Sequence, residues 1–259
     1  METDKIKSIP RGTVTSPEGF FAGAANAGIK KAKDSLDLGI LFSEAPCVTA
    51  GLFTATKLRA AAVTLSQERL KDGKAVALVV NSGCANAYTG KQGLADAEKM
   101  AAIAANGIGV SAKDVLVAST GVTGKLLPME KIEQGISRLI LSHDGGHELA
   151  RAIMTTDTAP KETALAVSSG GGNFTIGGIA KGSGMIHPNM ATMFCFLTTD
   201  AAVELGFLRT ALQKSVAMSL NMISVDGDTS PSDTVLLMAN GLAKNEPITA
   251  GSLQAVVFQ

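Results

Sequence analysis

Five apolar residues, 193–197 (MFCFL), come directly after Thr192 in the stretch KGSGMIHPNMATMFCFLTTD at 181–200. A run this short and this apolar reads as a buried strand, because helices need ten or more residues. The approach to it has the opposite character. Gly182, Ser183 and Gly184 loosen the chain, and Pro188 and Asn189 turn it. A threonine hydroxyl is thus delivered from an irregular lead-in onto the first residues of a strand. Chemistry is often placed at such junctions, since the strand fixes the reactive group while the loop leaves room for a ligand. An ordinary loop-to-strand junction has the same local pattern, so the rest of the chain has to discriminate between them.

Other segments show the same strand-like brevity. Residues 36–42 and 48–53 are short apolar runs separated by Pro46 and read as paired strands. Residues 75–80 (AVALVV) form a fully apolar strand that ends in the polar loop NSGCANAYTGKQG. Residues 114–118 (DVLVA) run straight into Ser119, Thr120 and Gly121, and 235–238 form a late strand. Residues 161–168 and 173–180 flank a GGG turn and read as a hairpin leading into the Thr192 stretch.

Helices are expected between these runs. Residues 94–105 are alanine-rich and stop near Gly107, and Pro128 suits the first turn of a helix reaching about Leu141. A further helix covers 147–154. Residues 204–219 are amphipathic, with Leu205, Leu208, Leu212 and Val216 along one face. Strands and helices alternate irregularly, and the hairpins require antiparallel pairing. The fold class is α/β, a layered sandwich rather than a doubly wound parallel sheet.

Composition narrows the function. Lys plus Arg and Asp plus Glu both total 23, and the 259 residues contain no Trp and one Tyr. No basic footprint for nucleic acid is present, and aromatics for base stacking are scarce. The charged N-terminal stretch lacks the apolar core of a signal peptide, and no apolar run reaches membrane-spanning length. Three cysteines, Cys47, Cys84 and Cys195, without CxxC spacing fit buried thiols in a reducing compartment, so a cytoplasmic enzyme is the expectation.

Several motifs fall short of their chemistry. Gly121, Gly124 and Lys125 resemble a phosphate loop, but Ser119 and Leu126 stand where a glycine and a hydroxyl residue belong. His143 and His147 have i,i+4 spacing with Gly145 and Gly146 between them, which suits a surface turn better than a zinc helix. Asp226, Asp228 and Asp233 start like a calcium loop, yet Leu237 occupies the place of the bidentate glutamate; capping and turn formation are the expected roles. No GxSxG elbow is present, and Cys195 lies inside an apolar run as a core residue would.

Thr192 remains. A threonine hydroxyl needs an adjoining base, and a chain N-terminus supplies one in its own α-amine. That requires cutting the Ala191–Thr192 bond, by attack of the Thr192 hydroxyl on the Ala191 carbonyl. A small residue at 191 and a turn-rich approach permit such an attack. The developing oxyanion needs donors, and Ser119–Thr120–Gly121 at a strand end offer a hydroxyl and a backbone N–H.

Five separated motifs carry a resemblance: NSGCANAYTG at 81–90, STGVTG at 119–124, MTTDT at 154–158, KGSGMIHPNMATM at 181–193 and VDGDTSPSDTVLLMANG at 225–241. Together they resemble the ornithine acetyltransferase family, the bifunctional glutamate and ornithine N-acetyltransferases of arginine biosynthesis. The resemblance implies a layered αββα sandwich of the self-processing type. It also implies a cut between Ala191 and Thr192, giving an α chain of 1–191 and a β chain starting at 192. Thr192 would then be the nucleophile, Thr120 and Gly121 the oxyanion hole, and Thr155, Lys181 and Thr192 the substrate contacts.

The implied reaction moves the acetyl group of N2-acetyl-L-ornithine to L-glutamate, with acetyl-CoA as a candidate co-substrate. No bound cofactor or metal is implied, and the chains are expected to assemble as an α2β2 heterotetramer. Family members continue past Gln259 through a segment whose glutamate contacts substrate, so this chain is expected to be truncated. The alternatives are a hydrolase on the related self-cleaving fold, an aminopeptidase or amidase, and an inactive remnant or binding module.

Overall fold

The computed structural model describes residues 4–32, 34–170, 172–185 and 193–259. Ala191 and Thr192, and with them the expected cleavage junction, lie outside the described residues. Among the described residues nine strands form one mixed sheet. In chain order they are β1 (Lys5–Ser8), β2 (Phe20–Ala25), β3 (Leu38–Phe53), β4 (Lys74–Cys84), β5 (Val115–Val122), β6 (Lys161–Ser169), β7 (Gly172–Lys181), β8 (Phe194–Thr199) and β9 (Thr234–Ala239). Their spatial order is β1-β6-β7-β8-β9-β3-β4-β5, with β2 paired to β3 off that path. The β4–β5 and β8–β9 pairs are parallel, and the others are antiparallel.

Alternation along the strands sorts side chains into layers. One face contributes Leu41, Leu78, Val80, Leu116, Ala118, Ile179, Phe194, Phe196, Leu236 and Met238 to a single buried cluster. These residues come from both halves of the strand order, so the sheet folds back and packs on itself. The opposite face of β3–β5, with Ile40, Ala77, Val79, Val115 and Val117, packs on α1 (Ala61–Arg69), α2 (Gly90–Ile108) and α3 (Met129–Ser137). On the far side Cys195, Val235, Leu237 and Ala239 pack on α5 (Leu205–Ala217) and α6 (Ala255–Phe258). Helices therefore cover both outer faces of a doubled sheet, the αββα layering that the resemblance implies. Between the halves lie Leu149 and Ala150 of α4 (Gly146–Ala152) and the adjoining Ile153.

Phe194 and Phe196 are essentially fully buried, and each such side chain stabilises the fold by roughly 1.5–3 kcal/mol. The apolar run after residue 192 is thus an anchor in the innermost layer. All three cysteines are buried, as expected. Burial pushes the Cys47 and Cys195 thiols up to about 12, which keeps them protonated and unreactive.

Local readings needed correction in four places. The runs at 36–42 and 48–53 are one strand, β3, and they do not pair with each other. Pro46 sits where the β3–β4 register shifts between Phe42 and Cys47, so its missing N–H falls in an irregularity instead of breaking the strand. Helix α2 starts earlier than residue 94, at Gly90, and closes near Gly107 as expected, with Gly109 in the left-handed conformation (φ 76°) as its cap. Helix α3 stops at Ser137, short of Leu141. Glu204 precedes α5 as its cap, accepting hydrogen bonds from the Gly206 and Phe207 N–H groups at 2.8 and 2.9 Å.

Candidate active site

The parallel β4–β5 pair sets one wall of the site. Register places Ser82 beside Thr120 and Gly83 beside Gly121 at the strand ends. The two glycines permit a close approach. Gly121 has φ +126°, and a Cβ built there would lie 2.4 Å from the Gly83 carbonyl carbon. Thr120 is buried, and so is the adjacent Ser119, whose hydroxyl has no hydrogen-bond partner among the described residues. Thr120 and Gly121 are therefore held where β5 packs tightly on the end of β4.

A second wall comes from the turn after α4 and the end of β7. Lys181 is 2 % exposed, and its Nζ donates to Thr155 Oγ1 at 3.2 Å. Its ammonium also stands 5.6 Å from the centre of the Phe194 ring. Burial pushes the Lys181 ammonium below its ordinary range, while Asp157 and Asp233 pull it back up. Asp157 ties the turn to the strand by accepting from Gly182 N–H at 2.7 Å and from Lys161 Nζ at 2.6 Å. Burial raises the Asp157 carboxyl, but Lys161 and the Gly182 and Thr155 N–H groups outweigh it and hold it below the usual range.

A third wall is the loop before β3. The Asp37 carboxylate, fully buried, accepts from the backbone N–H groups of Ala27, Ile29 and Lys30 at 2.7, 2.6 and 2.9 Å. This fixes Gly28–Lys30 against the cleft. Lys30 Nζ donates to the Leu36 carbonyl at 2.8 Å, and burial lowers its pKa.

These walls enclose a cleft of about 790 Å³ that Thr120, Gly121, Thr155 and Lys181 all line, together with Lys30 and Cys84. Four positions singled out in the sequence, spread over 61 residues, thus meet in one cavity. Beside it begins β8, with Phe194 in register with Lys181. Met193 is held from both sides: its N–H donates to Asp233 Oδ1 at 2.9 Å, and its carbonyl accepts from Thr234 N–H at 3.1 Å. Asp233, read in the sequence as a turn former, is buried at this junction instead.

Asp157, Lys30 and Asp37 were also missed. The i,i+4 spacing from Asp157 in the MTTDT segment to Lys161 beyond it is the one local hint, since the rest depends on distant packing. His143 and His147 have separate partners: His147 Nδ1 pairs with Glu162 at 2.7 Å, and His143 packs on Phe21. Among the described residues no cluster suits a metal ion, and no helix is long and apolar enough to cross a membrane.

The ArgJ family model matches residues 21–259. The chain belongs to the ArgJ family. A relative within it is the arginine biosynthesis bifunctional protein ArgJ of Dehalococcoides mccartyi (strain CBDB1), 51% identical over 98% of this chain and 63% of its own length. The chain thus spans less than two thirds of that curated relative. The solved arginine biosynthesis bifunctional protein ArgJ from Bacillus halodurans aligns with a TM-score of 0.69 at 43% identity, covering 73% of this chain and 100% of its own. Ornithine acetyltransferase from Mycobacterium tuberculosis, solved in complex with ornithine, aligns with a TM-score of 0.66 at 38% identity, covering 71% of this chain and 98% of its own.

Proposed function

We propose that this ArgJ-family chain cuts itself before Thr192 and uses the freed threonine to move an acetyl group from N2-acetyl-L-ornithine to L-glutamate. The observation that carries the reading is the single cleft joining Thr120, Gly121, Thr155 and Lys181 next to the strand that Thr192 leads into. The solved relatives add support: both match along nearly their whole length, over a stretch about as long as the 191 residues before Thr192.

In the first step the Thr192 hydroxyl oxygen attacks the Ala191 carbonyl carbon. The C–N bond breaks, the hydroxyl proton ends on the Thr192 nitrogen, and water hydrolyses the resulting ester. An α chain ending in Ala191 and a β chain with a free α-amine result. In the second step that amine takes the hydroxyl proton as the oxygen attacks the acetyl carbonyl. Negative charge on the carbonyl oxygen is met by the Thr120 hydroxyl and the Gly121 N–H, which are fixed in place before the reaction. Ornithine leaves with the proton, and the glutamate amine then takes the acetyl group from Thr192. Lys181, with Thr155 at its side, suits the α-carboxylate that both amino acids share. Acetyl-CoA is a second candidate donor for the same acetyl-enzyme. Residues 1–191 are then the α chain and residues 192–259 the N-terminal part of the β chain, two products of one precursor that assemble as α2β2 in the cytoplasm.

Intact mass of the purified protein tests the first step. Two fragments with a junction at 191–192 are expected, lost in Thr192→Ala and partly kept in Thr192→Ser. An alanine variant that is cut as the wild type is would end the proposal. Supplying N-acetylornithine with and without glutamate to the full-length protein tests the second, since acetate release independent of glutamate would instead indicate a hydrolase.

A further inference from the structure

Asp157 stands behind the Lys181 corner of the cleft, with its side chain screened from solvent. Its two oxygens gather three donors from two segments. Oδ2 takes the Thr155 N–H at 3.3 Å, while Oδ1 takes the Gly182 N–H at 2.7 Å and Lys161 Nζ at 2.6 Å. Thr155 carries the hydroxyl that holds Lys181 Nζ, and Gly182 is the residue after Lys181. The Thr156 and Ser183 hydroxyls, 2.8 Å apart, tie the same two segments a second time. Asparagine could not reproduce this arrangement, because its NH2 would face an N–H donor in at least one of the contacts.

The carboxylate also acts on both lysines that reach into the cleft from its buried side. Burial pushes the Lys30 ammonium toward its neutral form, and Asp37 and then Asp157 pull it back up. Burial does the same to Lys181, where Asp157 is the larger counter-charge and Asp233 the smaller. A residue that only closed the turn would need one acceptor for the Thr155 N–H and no charge. We propose that Asp157 is a positioning residue for the substrate carboxylate: it fixes Thr155 and Lys181 against each other and supplies the negative charge that holds Lys181 as a cation. The inference rests on the carboxylate site proposed above for Lys181 and Thr155. The charged groups acting on Lys181 are Asp157, Asp233 ahead of β9, Lys161 at the start of β6 and Lys30 from the loop before β3; the first two favour the ammonium and the last two oppose it. Lys181 holds a carboxylate only while protonated, so affinity falls as pH rises through its pKa. Removing the Asp157 charge moves that fall to lower pH.

The test is isothermal titration calorimetry with L-ornithine and with L-glutamate, from pH 6 to 9. The proteins are wild type, Asp157→Asn, Asp157→Glu, Lys181→Met and the double variant Asp157→Asn with Lys181→Met. The amines of the two ligands titrate alike for every protein, so the variants are compared with one another. Asp157→Asn should keep its circular dichroism spectrum but bind both amino acids at least about tenfold more weakly at pH 7. Its alkaline fall should come about one pH unit or more earlier than in wild type. Once Lys181 is Met, the same substitution should change Kd less than twofold, an interdependence that a merely structural role would not give. Asp157→Glu keeps the charge and displaces the oxygens, so it should weaken binding about threefold or more with the fall unmoved; this arm holds even if the asparagine variant fails to fold. A folded Asp157→Asn that binds within twofold of wild type with the same pH profile overturns the inference alone. So does an equal loss with and without Lys181, or an Asp157→Glu that matches wild type. A wild type that binds neither amino acid overturns the carboxylate site and this inference with it.

Discussion

Lys181 Nζ reaches Thr155 Oγ1 across 3.2 Å, joining the end of β7 to the turn after α4. The bond occupies one of the ammonium's three donors, and Lys181 lines the cleft. A buried cation held this way is already oriented for a carboxylate.

Replacing Lys181 by Met should therefore raise KM for N-acetylornithine and for glutamate together. A hydrogen bond to a charged group contributes about 1.5–3 kcal/mol, or roughly 10- to 150-fold. Thr155→Ala removes a neutral partner and should cost less, about 0.5–1.5 kcal/mol. Steady-state kinetics with each substrate varied in turn checks both, and a change confined to one substrate would count against a shared carboxylate site.

Thr120 lies near the end of β5 and lines the cleft. Thr120→Ala should slow acetyl transfer by about 2.7–4 kcal/mol, or 10²- to 10³-fold in kcat, with little change in KM. A rate within twofold of wild type would remove it from the oxyanion role.

Gly121→Ala should fail for a different reason. Its φ of +126° is one that side chains rarely adopt, and the added Cβ would run into Gly83 backbone. Strain of this kind costs about 1–3 kcal/mol before the collision is counted. Nothing lies within 4 Å of a Cβ at Gly124, so Gly124→Ala is the control for positive φ alone. Thermal melts should rank the variants wild type, Gly124→Ala, Gly121→Ala, from most to least stable.

Stability should vary with pH through Asp233 and Lys181. The unfolded Asp233 carboxyl ionises near 3.8, and the folded one at about 8. Between these values the native state binds the extra proton, so raising pH across the window destabilises the fold. Lys181 acts in the opposite sense. Its folded pKa lies below 10.5, so the unfolded state binds more protons on the alkaline side and stability recovers there. Urea midpoints should fall from about pH 4 to 8 and then turn upward. Asp233→Asn should flatten the fall, and Lys181→Met should remove the recovery.

How far sequence led to this site depended on how local each signal was. Strands β4, β5, β8 and β9 were legible because short apolar runs of four to six residues declare themselves. The hairpin β6–β7 was legible because its turn is glycine. Strand β3 was not: Pro46 reads as a breaker, and only the pairing with β4 shows that its missing N–H falls where the register shifts. Thr120, Gly121, Thr155 and Lys181 could be named from motifs, but their convergence required the folded sheet. Asp233 sits in VDGDTSPSDT among residues that all look like turn formers. Its burial is created by β8 lying alongside β9, which no property of that loop foretells. Asp37 is similar, since its role is to hold a loop ten residues upstream.

The strand order has a consequence for what a cut at 191–192 would do. Strands β8 and β9 lie between β7 and β3, in the interior of the sheet. On one side of them stand β1, β6 and β7, and on the other β2 to β5, and among the described residues the two groups pair only through β8 and β9. The later fragment is therefore a keystone. Scission would free a chain end yet leave both hydrogen-bonded seams intact, so the fragments stay together as one body. Residues 1–191 made alone would present two open edges facing an empty slot, a shape that invites a neighbour's strand. Joint synthesis as one precursor would fill each slot with its own keystone before any such cut.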